Sequence, residues 1–177
     1  NIIAVGGYGR GEFYPKSDTD LLILLDKNTK NDLKTNISKF LTFLWDIGIE
    51  ASHSTRTVNE CIKESKRDIS VGTSLLESRS IFGSKTLFSD YQKKVLLKQA
   101  WKNEKFFSAK IDEQNNRHNS FNNTAYNLEP NIKDGPGGLR DAHTIFWIAK
   151  KLGYGNIADL EQDNILNIDQ IRLLQEA

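Results

Sequence analysis

The chain has 177 residues, enough for one substantial domain or for one domain and part of another. Its hydrophobic content of 38% and charged content of 27% are those of a globular protein and exclude a disordered one. The 24 basic and 23 acidic residues give a net charge of +1, so no global field draws the chain to nucleic acid or to an anionic membrane.

The single cysteine, Cys61, excludes an internal disulfide and a zinc site built from cysteines, as expected of a cytoplasmic protein. The longest apolar run, Leu21–Leu25, is far too short to span a membrane. We therefore expect neither a membrane nor a nucleic-acid partner. Because the first residues already read as a strand and the last ones as a helix, we expect the chain to be a piece of a longer protein.

Three short strands are predicted in the first third of the chain. Ile2–Val5 is an apolar run ended by two glycines, and Leu21–Leu25 is apolar on both faces, as an inner strand is. Apolar residues at helical spacing then predict a helix over Asn31–Trp45. The loose alternation of Ile49–Arg56 predicts the third strand.

Helices dominate the rest of the predicted structure. Thr57 and Glu60 have the spacing of a capping box, which predicts a helix that begins there and ends near Ser65. A longer helix is predicted over 70–81 and is closed by Gly83. Further helices are predicted over 86–97, 101–117, 139–152 and 168–175, with a loop over 119–138.

The change of pattern near residue 85 divides the chain into two predicted domains. Before it, strands and helices mix, which predicts an α+β domain over residues 1–85 with a small mixed sheet and helices. After it, the predicted elements are all helices. Residues 86–177 are therefore predicted to form an α-helical domain that is truncated at its C-terminal end.

Asp18 and Asp20 stand at the start of the second apolar strand. In an extended strand residues i and i+2 point the same way, so the two carboxylates would lie side by side. Two such charges at the edge of a core repel each other unless a cation lies between them. Mg²⁺ commonly joins protein carboxylates to substrate phosphates. The pair therefore predicts a Mg²⁺ site with a catalytic role.

Four glycines among residues 6–11 follow the first predicted strand. Gly6 and Gly7 let backbone N–H groups approach a ligand without interference from Cβ atoms and aim them at phosphate oxygens. Arg10 adds a planar guanidinium suited to phosphate. Ser17 can donate its hydroxyl to a γ-phosphate or cap the backbone locally. We expect these four residues to bind a nucleoside triphosphate.

The spacing between the two features is more specific than either feature alone. Ten residues separate Gly7 from Asp18, and the glycines match neither the P-loop nor the dinucleotide-binding pattern. A Gly-Gly pair after a strand, followed by an Asp-x-Asp that opens an apolar strand, resembles the nucleotidyltransferase signature of the DNA polymerase β superfamily. The alternative, a glycine-rich turn with two solvated aspartates, explains each half but not their spacing.

Longer segments carry a closer resemblance. They are AVGGYGRGEFYPKSDTDLLILL at 4–25, SHSTRT at 52–57, DISVGTSLLESR at 68–79 and YNLEPNIKDGPGGLRD at 126–141. In this order they resemble the bacterial PII uridylyltransferase/uridylyl-removing family, which typically reads GHSVRT and DLTVATSLLEAR at the second and third. The resemblance implies a polymerase-β-type domain, a helical domain, and transfer of UMP from UTP to a tyrosine of the signalling protein PII. It also implies a uridylyl-removing HD domain and glutamine-sensing ACT domains, neither within this chain.

Several residues keep two interpretations. The superfamily usually adds a third carboxylate from a neighbouring strand. Glu50, on the predicted third strand, is the first choice for this metal ligand and catalytic residue. Glu77 is the second choice. Lys133 and Arg140 either bind the triphosphate or only hold the loop that leads into a helix. His53 either acts near the site or is a partly buried strand residue.

Two other functions stay open at this point. A protein adenylyltransferase, such as the one that modifies glutamine synthetase, would use ATP at the same kind of site, although that family reads differently after its third strand. A non-catalytic relative that binds nucleotide for regulation would fit a site without a clear third carboxylate. His118 and His143 are expected to be structural or surface residues, and core positions are expected for Cys61, Phe106, Phe107, Phe146 and Trp147.

Overall fold

The computed structural model describes residues 1–12, 17–27, 32–99, 101–126 and 128–176. The chain divides into two compact units, Asn1–Ala100 and Trp101–Ala177. The boundary predicted at residue 85 therefore falls inside the first unit. Tyr91 and Val95 account for the difference, because both side chains are buried in the core of the first unit.

The first unit is built on a four-stranded sheet with the strand order β3-β2-β1-β4. β1 pairs antiparallel with both β2 and β4, whereas β3 pairs parallel with β2. The predicted mixed sheet of an α+β domain is therefore confirmed. The strands are β1 (Ile2–Ala4), β2 (Thr19–Leu25), β3 (Ala51–Thr57) and β4 (Arg79–Phe82).

Among the described residues of this unit, five α-helices and one π-helical segment accompany the sheet. Their bounds are α1 (Gly6–Arg10), α2 (Asp32–Asp46), α3 (Val58–Arg67), α4 (Ile69–Leu76), α5 (Lys85–Tyr91) and the π-helical Gln92–Gln99. The predicted capping box starts α3, since the Thr57 hydroxyl accepts from the Glu60 N–H and the Glu60 carboxylate accepts from the Thr57 N–H. Asn31, where a helix was predicted to begin, lies outside the described residues.

The core of the first unit lies between the sheet and its helices. Ile3, Leu22 and Leu24 point into it from the inner strands, and each is at most 1% exposed. Cys61 of α3 is fully buried there, as its predicted core position requires. Burial raises the pKa of its thiol to about 12, so the thiol stays protonated and unreactive at neutral pH.

The prediction of a helix over residues 70–81 is wrong for the second half of that range. α4 ends at Leu76, and Arg79–Phe82 forms β4 on the outer edge of β1. All four residues of β4 are exposed, so their sequence carries no alternation of buried and exposed positions. Only the pairing with Ile2–Ala4, a segment far away in the sequence, makes them a strand.

The described elements of the second unit are helices. They are α6 (Asn103–Ser120), α7 (Leu139–Leu152), α8 (Asp159–Gln162) and α9 (Ile168–Glu176). Phe106 and Trp147 are buried as predicted, but Phe107 is 50% exposed, so its predicted core position is wrong. Among the residues described, none of the helices combines the length and the apolar character that a membrane span needs.

Charged side chains join α6 to α7. Arg117 donates to Asp141 at 2.7 Å, His118 Nε2 lies 2.9 Å from the same carboxylate, and the Gly137 N–H donates to it at 2.8 Å. Partial burial alone would raise the pKa of Asp141, but these hydrogen bonds and one from Gln114 outweigh it and lower the pKa to about 2. The structural role expected of His118 is therefore confirmed.

A buried lysine extends this charged cluster along α6. Lys110 is 2% exposed, its Nζ lies 2.7 Å from Glu113 Oε2, and it stands 4.3 Å from the centre of the Trp147 ring. Burial lowers the pKa of Lys110, and the ion pair with Glu113 offsets part of that cost. His143 is buried on the other helix, 5.7 Å from Trp147, which agrees with its expected structural role.

Candidate active site

The two sequence features that predicted a site meet at one edge of the sheet. Because β1 and β2 are antiparallel, the end of β1 lies beside the start of β2, and the Val5 N–H donates to the Asp20 carbonyl at 3.1 Å. β3 is parallel to β2 and places Ser52 opposite Asp20. The glycine segment, the aspartates and the beginning of β3 therefore gather at the same edge.

Gly6 and Asp20 are close neighbours in space. A Cβ atom added to Gly6 would lie 3.2 Å from Asp20 Oδ2 and 3.6 Å from Ser74 Oγ. Gly6 also has a φ of +57°, in the left-handed region that favours glycine. The glycine segment turns at once into the short helix α1 instead of forming an open turn. The position next to Asp20 thus needs glycine both for space and for backbone conformation.

Asp18 and Asp20 place two carboxylates at this edge. Asp18 directly precedes β2 and is exposed, whereas Ser17 and Asp20 are half-buried. Mg²⁺ is usually bound through one or two carboxylates, with water and substrate phosphates completing its shell. The pair of carboxylates fits that requirement. Within the described ranges no set of three His, Cys, Asp or Glu side chains is arranged to hold a metal ion.

Neither candidate for the third carboxylate lies on the neighbouring strand. β3 begins at Ala51, so Glu50 stands just before the strand and not on it, and its side chain is exposed. Glu77 follows the end of α4 and is buried at 3% exposure. β3 itself has the sequence ASHSTRT and carries no carboxylate. A ligand role for Glu50 therefore stays a prediction.

Arg10, which was expected to bind phosphate, is held by two carboxylates. Its Nη1 donates to Glu77 Oε1 at 2.5 Å and its Nε donates to Glu12 Oε2 at 2.9 Å. The Glu77 side chain is only 4% exposed, so the pair with Arg10 balances a buried charge. The sequence offered no signal for this partner, which is 67 residues away.

Further contacts fix α1 against the segment that follows α4. Arg79 donates to the Tyr8 carbonyl at 3.0 Å, and its guanidinium lies 5.4 Å from the centre of the Tyr8 ring. Gly9 approaches the same segment so closely that a Cβ there would lie 1.9 Å from the Glu77 carbonyl oxygen. These contacts hold the glycine segment in place next to β2.

A cavity of about 240 Å³ opens beside Asp20. Ser52, Ser54 and Arg56 line it from β3, and Val71, Ser74 and Leu75 line it from α4. His53 also lines the cavity and is exposed, so the partly buried position expected for it is wrong. Sequence reasoning missed the serines of β3 and α4 because a lone serine carries no motif.

Lys133 and Arg140 lie in the second unit. Arg140, in the first turn of α7, has its Nε 3.3 Å from Asp134 Oδ1 and its guanidinium 5.8 Å from the centre of the Trp147 ring. The Lys133 side chain is exposed, and its N–H donates to Asn131 Oδ1 at 3.0 Å. These contacts hold the loop before α7, and phosphate binding by either residue stays a prediction.

Comparison with known protein families agrees with this reading of the chain. Residues 1–76 match the family model of the nucleotidyltransferase domain, and residues 105–177 match the GlnD PII-uridylyltransferase model. The chain belongs to the PII-uridylyltransferase family. It therefore carries a nucleotidyltransferase domain, as the glycine pair and the Asp-x-Asp spacing predicted.

Several curated relatives carry the same name, bifunctional uridylyltransferase/uridylyl-removing enzyme. The relative from Vibrio vulnificus (strain YJ016) is 43% identical over 99% of this chain and the one from Nitrosococcus oceani is 44% identical over 99%. The relative from Stutzerimonas stutzeri (strain A1501) is 51% identical over 85% of the chain, which is 17% of its own length. The chain spans 20% of the length of the first two.

Proposed function

We propose that this chain transfers UMP from UTP to a tyrosine of the PII signalling protein and releases pyrophosphate. The observation that carries the proposal is the contact of Gly6 with Asp20, which puts a glycine-rich backbone segment next to a carboxylate on a nucleotidyltransferase sheet. The name shared by the relatives supports uridylyl as the transferred group, and the family description supports PII as the acceptor.

In this proposal Asp18 and Asp20 bind Mg²⁺, and Glu50 is the remaining candidate for a third ligand. The bound ion would neutralise charge on the triphosphate and polarise the α-phosphorus. Gly6 and Gly7 offer backbone N–H groups to the phosphates, and Ser17 offers its hydroxyl. In phosphoryl transfer the protein forms few covalent bonds itself. Positioning of the nucleotide by these groups therefore accounts for most of the catalysis.

Titration calorimetry with UTP, ATP, CTP and GTP in Mg²⁺ tests the nucleotide site. We expect selective UTP binding by the wild-type protein and its loss in the Asp18→Asn/Asp20→Asn variant. Asp26→Asn is the matched control, because Asp26 follows the far end of the same strand and its carboxylate accepts from the Lys27 N–H. Selective ATP binding would instead favour an adenylyltransferase.

Pyrophosphate release tests the transfer itself. With UTP, Mg²⁺ and purified PII, the wild-type and Asp26→Asn proteins should release pyrophosphate in proportion to the UMP found on PII. The double variant should release less by a factor of about 10³, the upper range for losing one group that stabilises transition-state charge. UTP binding without pyrophosphate release would identify a regulatory nucleotide site and contradict the proposal.

A further inference from the structure

The cavity lies mainly on the β3 side of Asp20 and reaches Val5, the residue directly before the glycine segment. The strand order β3-β2-β1-β4 places β2, which carries Asp20, between β1, which leads into the glycines, and β3, which lines the cavity. In an in-line displacement, the attacking and leaving oxygens stand on opposite sides of the phosphorus. If the glycine segment holds the departing pyrophosphate, the attacking group approaches from the side of β3.

The two walls of the cavity differ in polarity. The register pairs Asp20 with Ser52 and Leu22 with Ser54, so the two serines share the face of the sheet on which Asp20 lies. Val71 and Leu75 face them from α4 with apolar side chains. A phenol ring matches this arrangement, since it combines flat apolar faces with one hydroxyl that needs a polar partner.

The size and position of the cavity also favour a single side chain over a nucleotide. Its volume of about 240 Å³ is below the roughly 300–1,000 Å³ of pockets that enclose a whole small-molecule ligand. β3 is an edge strand of the sheet, so no further described strand covers that side. A side chain that projects from another protein can therefore enter the cavity from that side.

We propose that this cavity is the acceptor subsite, which receives the phenol ring of the target tyrosine with its hydroxyl directed to Asp20. The ring packs against Val71 and Leu75, and Ser54 lies beside it on the strand side. This inference rests on the proposed function, because it assumes a tyrosine acceptor and a nucleotide on the glycine segment. Arg56, which also lines the cavity, adds a positive charge that stabilises the phenolate as its proton leaves.

The proposed step balances as a displacement at the α-phosphorus. The phenolic oxygen forms a new bond to the α-phosphorus of UTP, and the bond from that phosphorus to the bridging oxygen of the pyrophosphate breaks. The phenolic proton passes to water, and pyrophosphate leaves on the side of Gly6 and Gly7. The products are the uridylylated tyrosine and pyrophosphate, and no oxidant, reductant or further reactant is needed.

Filling the cavity in the full-length protein tests the inference. Ser54→Phe places a ring where the acceptor ring would bind, whereas the matched control Thr55→Phe adds the same ring at an exposed neighbour on the opposite face of β3. We expect Ser54→Phe to lower kcat/KM for PII by about 100-fold or more, as misplacing a reacting group does, and to leave UTP affinity within about threefold. Thr55→Phe should change neither quantity.

A small phenol gives a second, independent measurement. In the wild-type protein p-cresol, the side chain of tyrosine without its backbone, should inhibit transfer competitively with PII and not with UTP. Ser54→Phe should lose this inhibition in any residual activity. If Ser54→Phe unfolds, which a thermal melt would reveal, the pattern of p-cresol inhibition in the wild-type protein decides alone.

The outcomes separate this inference from the proposed function. Unchanged kcat/KM for PII in a folded Ser54→Phe variant, or p-cresol that competes with UTP or not at all, would overturn the acceptor subsite and leave the nucleotide site intact. Loss of UTP binding in a folded Ser54→Phe variant would assign the cavity to the nucleotide and also overturn it. A wild-type protein that binds no UTP would reject the proposed function itself.

Discussion

The two units of the chain bury charge in different places. The core of the first unit is formed by apolar side chains such as Ile3 and Leu22, and its buried carboxylate, Glu77, is paired outside that core. The second unit buries Lys110 and partly buries Asp141 between α6 and α7. The stability of the first unit should therefore depend on close packing, and that of the second on charge pairs and on pH.

The largest effect should come from overpacking the first unit. In Gly9→Ala the new methyl group would lie 1.9 Å from the Glu77 carbonyl oxygen, so α1 must shift. We expect a loss of about 3 kcal/mol or more in the free energy of unfolding, the upper range for overpacked sites. Urea denaturation measures it, and amide hydrogen exchange assigns the loss to the first unit.

Gly7→Ala is the control for this substitution, because its nearest neighbours would lie at 3.7 Å, an ordinary van der Waals distance. It sits in the same short helix and should leave the free energy of unfolding within about 0.5 kcal/mol of wild type. An equal loss in both variants would show that the loss in the free energy of unfolding comes from alanine in helix α1 and not from the contact with Glu77.

Breaking a charge pair in the second unit should have a smaller effect that varies with pH. Asp141→Asn keeps the shape of the side chain but weakens its bonds from Arg117, His118 and the Gly137 N–H. We expect a loss of about 2 kcal/mol at neutral pH, the range for hydrogen bonds to a charged group. Amide hydrogen exchange of α7 peptides measures it.

The pH dependence follows from the direction of the shift at Asp141. Its pKa falls from 3.8 to about 2 in the folded chain, so the contribution is complete above about pH 4 and is lost as the pH falls towards 2. As the pH falls through this window, the protection of α7 amides from hydrogen exchange should decline more in the wild-type protein than in Asp141→Asn. Asp169→Asn, an exposed acid in the first turn of α9, should behave as wild type. Equal declines in all three proteins would contradict the assignment.

The smallest effect concerns a helix start in the first unit. Thr57→Ala removes the hydroxyl that accepts from the Glu60 N–H and that donates to the Glu60 carboxylate. We expect a loss of about 1 kcal/mol, typical of a missing N-terminal cap. Thr55→Ala, on the same strand but outside any cap, is the control, and chemical denaturation that finds no difference between the two would contradict the prediction.

Local patterns predicted the elements whose signals lie within a few residues. The capping box at Thr57 and Glu60 marked the start of α3, and the apolar runs marked β1 and β2. The spacing of the glycine pair and the aspartates resembled a nucleotidyltransferase signature, and the structure brings Gly6 close to Asp20.

Long-range contacts could not be predicted in the same way. β4 carries no alternation and exists because its backbone pairs with β1. The partner of Arg10 is Glu77, which had been the second choice for a third metal ligand. Tyr91 belongs to the first unit because its hydroxyl donates to the Leu75 carbonyl at 3.1 Å and its ring is buried. Each of these depends on segments that only the fold brings together.

The buried thiol of Cys61 can serve as a probe of the opening of the first unit. It is the only thiol in the chain, it has no exposed surface, and its raised pKa keeps it protonated. An alkylating reagent can therefore modify it only during moments when the core of the first unit opens. The rate of that modification would therefore measure how often the core of the first unit opens.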